Sequence, residues 1–172
     1  MPKALSKLHV VLCGALMLPA AANAQKPEQA ERGQNVFVQK DCASCHRLEG
    51  RGTAIGPDLS VIGRLSPKAI ATAVLATRTA HVATIKLKSG QKFPAMQATD
   101  DQKTVRVFDL SQKPPALRVF ERSEIEASTN NESWTHPPAT DALTDEELAD
   151  VIAYLRWVTV RDRKGVAADD VR

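Results

Sequence analysis

Cys42-Ala43-Ser44-Cys45-His46 is the stretch on which the reading of this chain turns. Two thiols three positions apart can each form a thioether to a haem vinyl group, and the adjacent imidazole then serves as an axial iron ligand. A dithiol redox pair is one alternative, but such a pair sits at a helix N-terminus after a strand and needs no following histidine. Zinc is another, and it requires two further ligands at suitable spacing. Downstream of the motif the chain offers His81 and His136 but no second C-x-x-C. The pattern predicts one covalently attached haem c, held by Cys42, Cys45 and His46.

The first 24 residues read as an export signal. Lys3 and Lys7 form a positive n-region, Val10 to Leu18 an apolar h-region, and Ala22-Asn23-Ala24 a cleavage site. The apolar run is short for a transmembrane helix, so no membrane span is expected after cleavage. Removing Lys3 and Lys7 leaves 21 basic residues against 20 acidic ones. That balance gives no basic patch and no argument for nucleic acid. Cys13 leaves with the signal, and the remaining two cysteines belong to the motif. Export to the periplasm is also the setting in which c-type haem is attached. Residues 25–161 are read as the domain, and 162–172 as a polar tail that frays.

Helical signals flank the motif. Pro27 near a helix start, followed by Ala30, Gly33, Val36 and Phe37, marks an amphipathic helix leading into it. Gly33 in mid-helix either admits a second helix closely or is simply tolerated. Glu49 to Leu59 reads as a loop. Ser66-Pro67 caps a second helix with Ile70, Ala73, Val74 and Thr77 on one face. The last helix is the clearest: Thr144 and Glu147 form a capping box, Leu143 staples onto Leu148, and Leu148, Val151, Ile152 and Leu155 make one stripe.

Between these helices the period changes to two. His81 to Lys88 alternates, Ser89-Gly90 turns, and Gln91 to Ala98 continues extended. Lys103 to Asp109 is rich in β-branched residues, and Leu117 to Phe120 follows the break at Pro114-Pro115. These segments predict three or four antiparallel strands inserted at about 82–128 in a mainly α fold, before the distal loop and the last helix. Lys86, Lys88 and Lys92 read as the protected face of a solvated edge.

With these features in hand, the chain resembles class I monohaem cytochromes c. The resemblance rests on Gly33-Gln34-Asn35-Val36-Phe37 before the motif, Gly56-Pro57-Asp58-Leu59 after it, and Leu148 through Leu155. It implies that the first and last helices cross, with Gly33 and Phe37 against Val151 and Tyr154. It also implies that the Pro57 carbonyl accepts a hydrogen bond from the His46 imidazole, fixing the ring and raising its basicity. More narrowly, the chain resembles the planctomycete-type haem-binding cytochrome c domain, which carries a β insertion before the sixth ligand.

Such domains present a methionine followed by proline shortly before the last helix. This chain has Ser133-Trp134-Thr135-His136-Pro137-Pro138 there. His136 stands in the methionine's place and is the predicted distal ligand; Met96, His81 and an open or water-bound site are the alternatives. Trp134 beside it reads as a shield of the haem edge or as a loop anchor. A haem with both axial sites filled passes electrons and has no place for substrate. The expected role is therefore an electron carrier and not an enzyme, between redox protein partners: a dehydrogenase donor and an oxidase or cytochrome acceptor. A haem subunit of a periplasmic dehydrogenase, and an open-site haem enzyme or gas sensor, are the rival readings.

Overall fold

The structure, a computed structural model, describes residues 25–76, 81–136 and 143–172. The export signal, Thr77 and the Pro137-Pro138 pair lie outside the described residues. Helix α1 spans Glu28–Gln39 and helix α3 spans Asp145–Val160. Glu28 and Glu31 sit in the first turn of α1, where negative charge complements the helix dipole. Ala30, Gly33, Val36 and Phe37 form its buried face. In α3 both bonds of the capping box are made: Glu147 N donates to Thr144 Oγ1 at 3.2 Å, and Thr144 N donates to a Glu147 carboxylate oxygen at 3.0 Å.

The two helices cross at Gly33. A Cβ placed there would lie 1.8 Å from the Asp150 carbonyl oxygen, so only a glycine lets the backbones approach this closely. Around the crossing, Phe37 meets Tyr154 edge-on with ring centroids 5.6 Å apart. Arg32 forks onto the Asp150 carboxylate at 2.8 and 3.0 Å. Helix α2, Pro67–Val74, is capped by Ser66, whose hydroxyl accepts from Ala69 N at 3.2 Å. Its buried residues are Ile70 and Ala71, whereas Ala73, predicted to face inward, is exposed.

The expectation of a mainly α fold is overturned. Strand residues are as numerous as α-helical ones, and most of them form one five-stranded antiparallel sheet. A two-residue hairpin, β1 (Arg47–Leu48) with β2 (Arg51–Gly52), comes first, turned by Glu49 and Gly50 at positive φ. The main sheet comprises β3 (Val82–Leu87), β4 (Lys92–Asp100), β5 (Thr104–Asp109), β6 (Ala116–Glu121) and β7 (Ile125–Asn130), in the order β6-β5-β4-β3-β7. The three or four strands predicted are thus five. The missed one, β7, reads Ile-Glu-Ala-Ser-Thr-Asn, where only Ile125 and Ala127 mark an apolar face and the second half is wholly polar. It also corrects the reading of the lysines: β3 and β4 are interior strands, and Lys86 pairs with Glu126 on β7.

The order of the strands forces the sheet to curl. Laid flat, strands about 4.8 Å apart would separate β6 from β7 by roughly 19 Å. The four Cα steps from Glu121 to Ile125 reach at most about 14 Å. The sheet closes around its own core of Ile85, Leu87, Phe93, Ala95, Val105, Val107 and Phe120. At one end the buried Asp109 takes a 3.0 Å bond from Arg118, whose guanidinium lies over Phe93 and Phe120. A second core, sharing no residue with the first, joins the three helices through Val36, Phe37, Ile70, Leu148, Ile152 and Leu155.

The polar tail does not fray. Val166 and Val171 are 5% and 4% exposed and belong to the helical core. The Gln29 side-chain amide exchanges two bonds with the Val166 backbone, at 2.8 and 2.9 Å, and Arg172 reaches Asp145 at 2.6 Å. Two valines spaced five apart among charged residues carry too little periodicity to announce this docking.

Candidate functional site

The motif follows α1 directly. Asp41 adopts a left-handed conformation (φ 54°) that ends the helix and turns the chain into a single 3₁₀ turn, Cys42–Ser44. The turn closes with His46 N donating to Cys42 O at 2.9 Å. Both thiols are half-buried and unbonded to each other. Burial pushes the Cys42 thiol up to about 11. A reactive redox thiol needs the opposite shift and a helix N-terminus, and here the cysteines follow a helix C-terminus. Among the described residues no group of three or more His, Cys, Asp or Glu side chains could hold a metal ion.

His46 is held from two sides. Its Nδ1 lies 2.7 Å from the Pro57 carbonyl oxygen, and because a carbonyl can only accept, Nδ1 carries the proton. Nε2 is then the nitrogen with a free lone pair. Gly56 lies against the ring: a Cβ there would sit 2.6 Å from His46 Cε1. The hairpin β1–β2 braces the same segment, since a Cβ at Gly52 would meet His46 O at 2.2 Å. Gly56 belongs to the Gly56-Pro57 pair that carries the resemblance, whereas Gly52 is a site residue whose only signal is its place in the loop after the motif.

His136 faces this imidazole. The two ring centroids are 6.0 Å apart with an interplanar angle of 74°. Trp134 lies beside it, with centroids 6.4 Å apart. Burial pushes the His136 imidazole below its ordinary pKa, the His46 ring adds to that, and a backbone interaction with Val74 works the other way. Burial therefore favours the neutral ring, the form in which a histidine can ligate. Its Nδ1 is buried and has no hydrogen-bond partner. A buried nitrogen left unpaired costs about 1–3 kcal/mol, and such atoms are commonly explained by an ion or a ligand.

The other candidates lie elsewhere. Met96 stands in β4 between Val82 of β3 and Phe108 of β5, and with His81 it lines an open hollow at the sheet. The residues around Cys42 and His46 fit a covalent haem. They supply two free thiols on one turn, a proximal imidazole with a fixed tautomer, and an opposed imidazole bearing an orphaned nitrogen.

Comparison with known proteins agrees on the group. Residues 30–109 match the family model described as Cytochrome c. The matched span begins within α1, takes in both thiols, His46 and Pro57, and stops before His136 and α3. No curated protein matches the chain. Among the described residues no helix is long and apolar enough to cross a membrane. Residues 30–109 are thus similar to a cytochrome c domain, and within them the motif and its braced histidine supply the groups that a covalent haem needs.

Proposed function

We propose that the chain is an exported c-type cytochrome that passes single electrons between redox proteins in the periplasm. One haem c is held through Cys42 and Cys45, with His46 and His136 as its axial ligands. The observation that carries this reading is the opposition of the two imidazoles at 6.0 Å, one with its outer nitrogen committed to Pro57 and the other with a buried nitrogen unpaired. Bound haem supplies a one-electron couple. The chain's part is to set its potential and to keep water from it.

His46 donates from Nδ1 to Pro57 O, which orients the ring and makes Nε2 more basic. His136 brings a second imidazole, a stronger donor than a thioether, which favours the oxidised state and lowers the potential relative to His/Met coordination. Both axial positions are then occupied, in keeping with a carrier and not a catalyst. The carrier domain runs from residue 25 through the docked tail, with the sheet of residues 82–130 inserted as in planctomycete-type haem-binding cytochrome c domains. Residues 1–24 direct export. The partners are a dehydrogenase as donor and an oxidase or second cytochrome as acceptor.

The test is the absorption spectrum of the holoprotein in both oxidation states. Low-spin haem in the wild type and high-spin haem in His136→Ala support the reading. A low-spin spectrum unchanged by the substitution contradicts the ligand assignment, and a thioether charge-transfer band in the wild type assigns Met96 instead. Rapid carbon monoxide binding by the reduced wild type contradicts a filled distal site.

A further inference from the structure

We propose that Asn131 is a positioning residue for the distal ligand, tying the loop that bears His136 to the curled sheet. The inference rests on His136 being that ligand. Asn131 follows the last residue of β7 and makes four hydrogen bonds. Its backbone N donates to Val82 O at 2.9 Å, at the start of the interior strand β3. This extends the β3–β7 pairing one step past the partners Ala83 and Asn130. Its side-chain Oδ1 accepts three times from the residues that follow: from Ser133 N at 3.1 Å, Ser133 Oγ at 2.9 Å and Trp134 N at 2.8 Å.

One oxygen thus gathers the first turn of the loop, an Asx turn, while the backbone of the same residue is fixed to a central strand. Trp134, held by its N–H, stands beside the His136 ring at 6.4 Å. The chain of contacts runs from the sheet through Asn131 to Trp134 and then to His136. It gives the sheet a role in the helical half of the molecule. A loop attached only to the start of α3 would leave His136 free to swing; a loop pinned at Asn131 holds it opposite His46.

Only the acceptor capacity of the side chain is used, which makes the proposal separable from a requirement for asparagine as such. Asn131→Asp keeps an acceptor oxygen in the same place, and Asn131→Ala removes it. In the ferric holoprotein, binding of added imidazole requires the distal ligand to leave, so its rate reads how firmly His136 is held. Asn131→Ala is expected to raise that rate by roughly tenfold or more, in line with the loss of a three-donor acceptor. It should also raise the high-spin fraction at pH 7, with Asn131→Asp within about twofold of wild type. An Asn131→Ala protein that binds imidazole at the wild-type rate overturns the proposal, as does an Asn131→Asp protein as impaired as the alanine variant.

Should Asn131→Ala fail to mature with haem, Ser133→Ala is read in its place. It deletes one of the three donors, and an increase of about two- to threefold is expected; no increase overturns the proposal. His136→Ala run alongside separates the two ideas. If its spectrum stays low-spin, the ligand assignment falls and Asn131 falls with it. If it turns high-spin while Asn131→Ala behaves as wild type, the positioning role alone is wrong.

Discussion

Gly33→Ala puts the helix crossing to the test. The added Cβ would lie 1.8 Å from Asp150 O, 2.4 Å from its carbonyl carbon and 2.9 Å from Val151 N. All three are backbone atoms of α3, so no side chain can rotate out of the way. Restoring an ordinary contact of about 3.4 Å requires the helices to part by roughly 1.6 Å. A gap of 0.5–1 Å already forfeits about a quarter to a half of a van der Waals well. Val36, Phe37, Val151 and Tyr154 pack across this crossing, and each contributes about 1.5–3 kcal/mol by burial. Losing about a third of that costs ~2–4 kcal/mol, and alanine's better helix propensity returns about 1 kcal/mol. The net destabilisation is ~1–3 kcal/mol, the range typical of overpacking. Urea unfolding of the holoprotein reads it: with a slope of about 2 kcal/mol/M, the midpoint falls by roughly 0.5–1.5 M. A midpoint equal to or above that of the wild type would refute the close crossing.

Further outcomes are expected from the same geometry. Gly56→Ala places a Cβ 2.6 Å from His46 Cε1 and pushes the ring off Pro57; the less basic imidazole raises the midpoint potential by roughly 30–60 mV, read by redox titration. Asp109 is buried, which by itself raises a carboxyl's pKa, but bonds from Ser111 and Arg118 outweigh this and hold it below the usual carboxylate range. Its contribution is therefore complete above the unfolded pKa of about 3.9 and is lost as pH falls through the lower folded value. Asn at 109 should cost ~2–3 kcal/mol at pH 7, and the gap from wild type should narrow below about pH 4 in urea titrations. Thr144→Ala removes one half of the α3 capping box and should cost about 1 kcal/mol, measured by thermal or urea unfolding.

What could be read from the sequence follows from how local each signal is. The start of α3 was legible because Thr144, Glu147 and the Leu148–Leu155 stripe all act within a few turns. The Ser66-Pro67 start of α2 was legible for the same reason. Gly33 announced a possible close approach but not its partner, because a glycine carries no information about what meets it. The balance of helix and strand was misjudged where partners are distant. β7 is a strand because β3 offers it a ladder, not because its own residues favour one. The Glu49-Gly50 hairpin reads as loop in the sequence because two-residue strands show no period. Val166 is tied to Gln29 of α1, 137 residues away in sequence, and Val171 joins the same helical core, a docking that no local pattern encodes. At the site, Cys42, Cys45 and His46 announce themselves as a motif, and the Pro57 contact was legible through family resemblance. Asn131 carries a weaker signal, an asparagine two residues before a serine, which is compatible with an Asx turn but does not name the loop that it holds.

The proposed function requires two imidazoles to face each other across one covalently held haem. The most direct test is the electron paramagnetic resonance and optical spectrum of the ferric holoprotein, taken with its pyridine haemochrome after acid–acetone extraction. The expected result is haem that stays with the polypeptide, a low-spin ferric centre with two nitrogen axial ligands, and loss of that centre in His136→Ala. Haem extracted freely from the chain, or a wild-type ferric centre that is high-spin or sulfur-ligated, would contradict it.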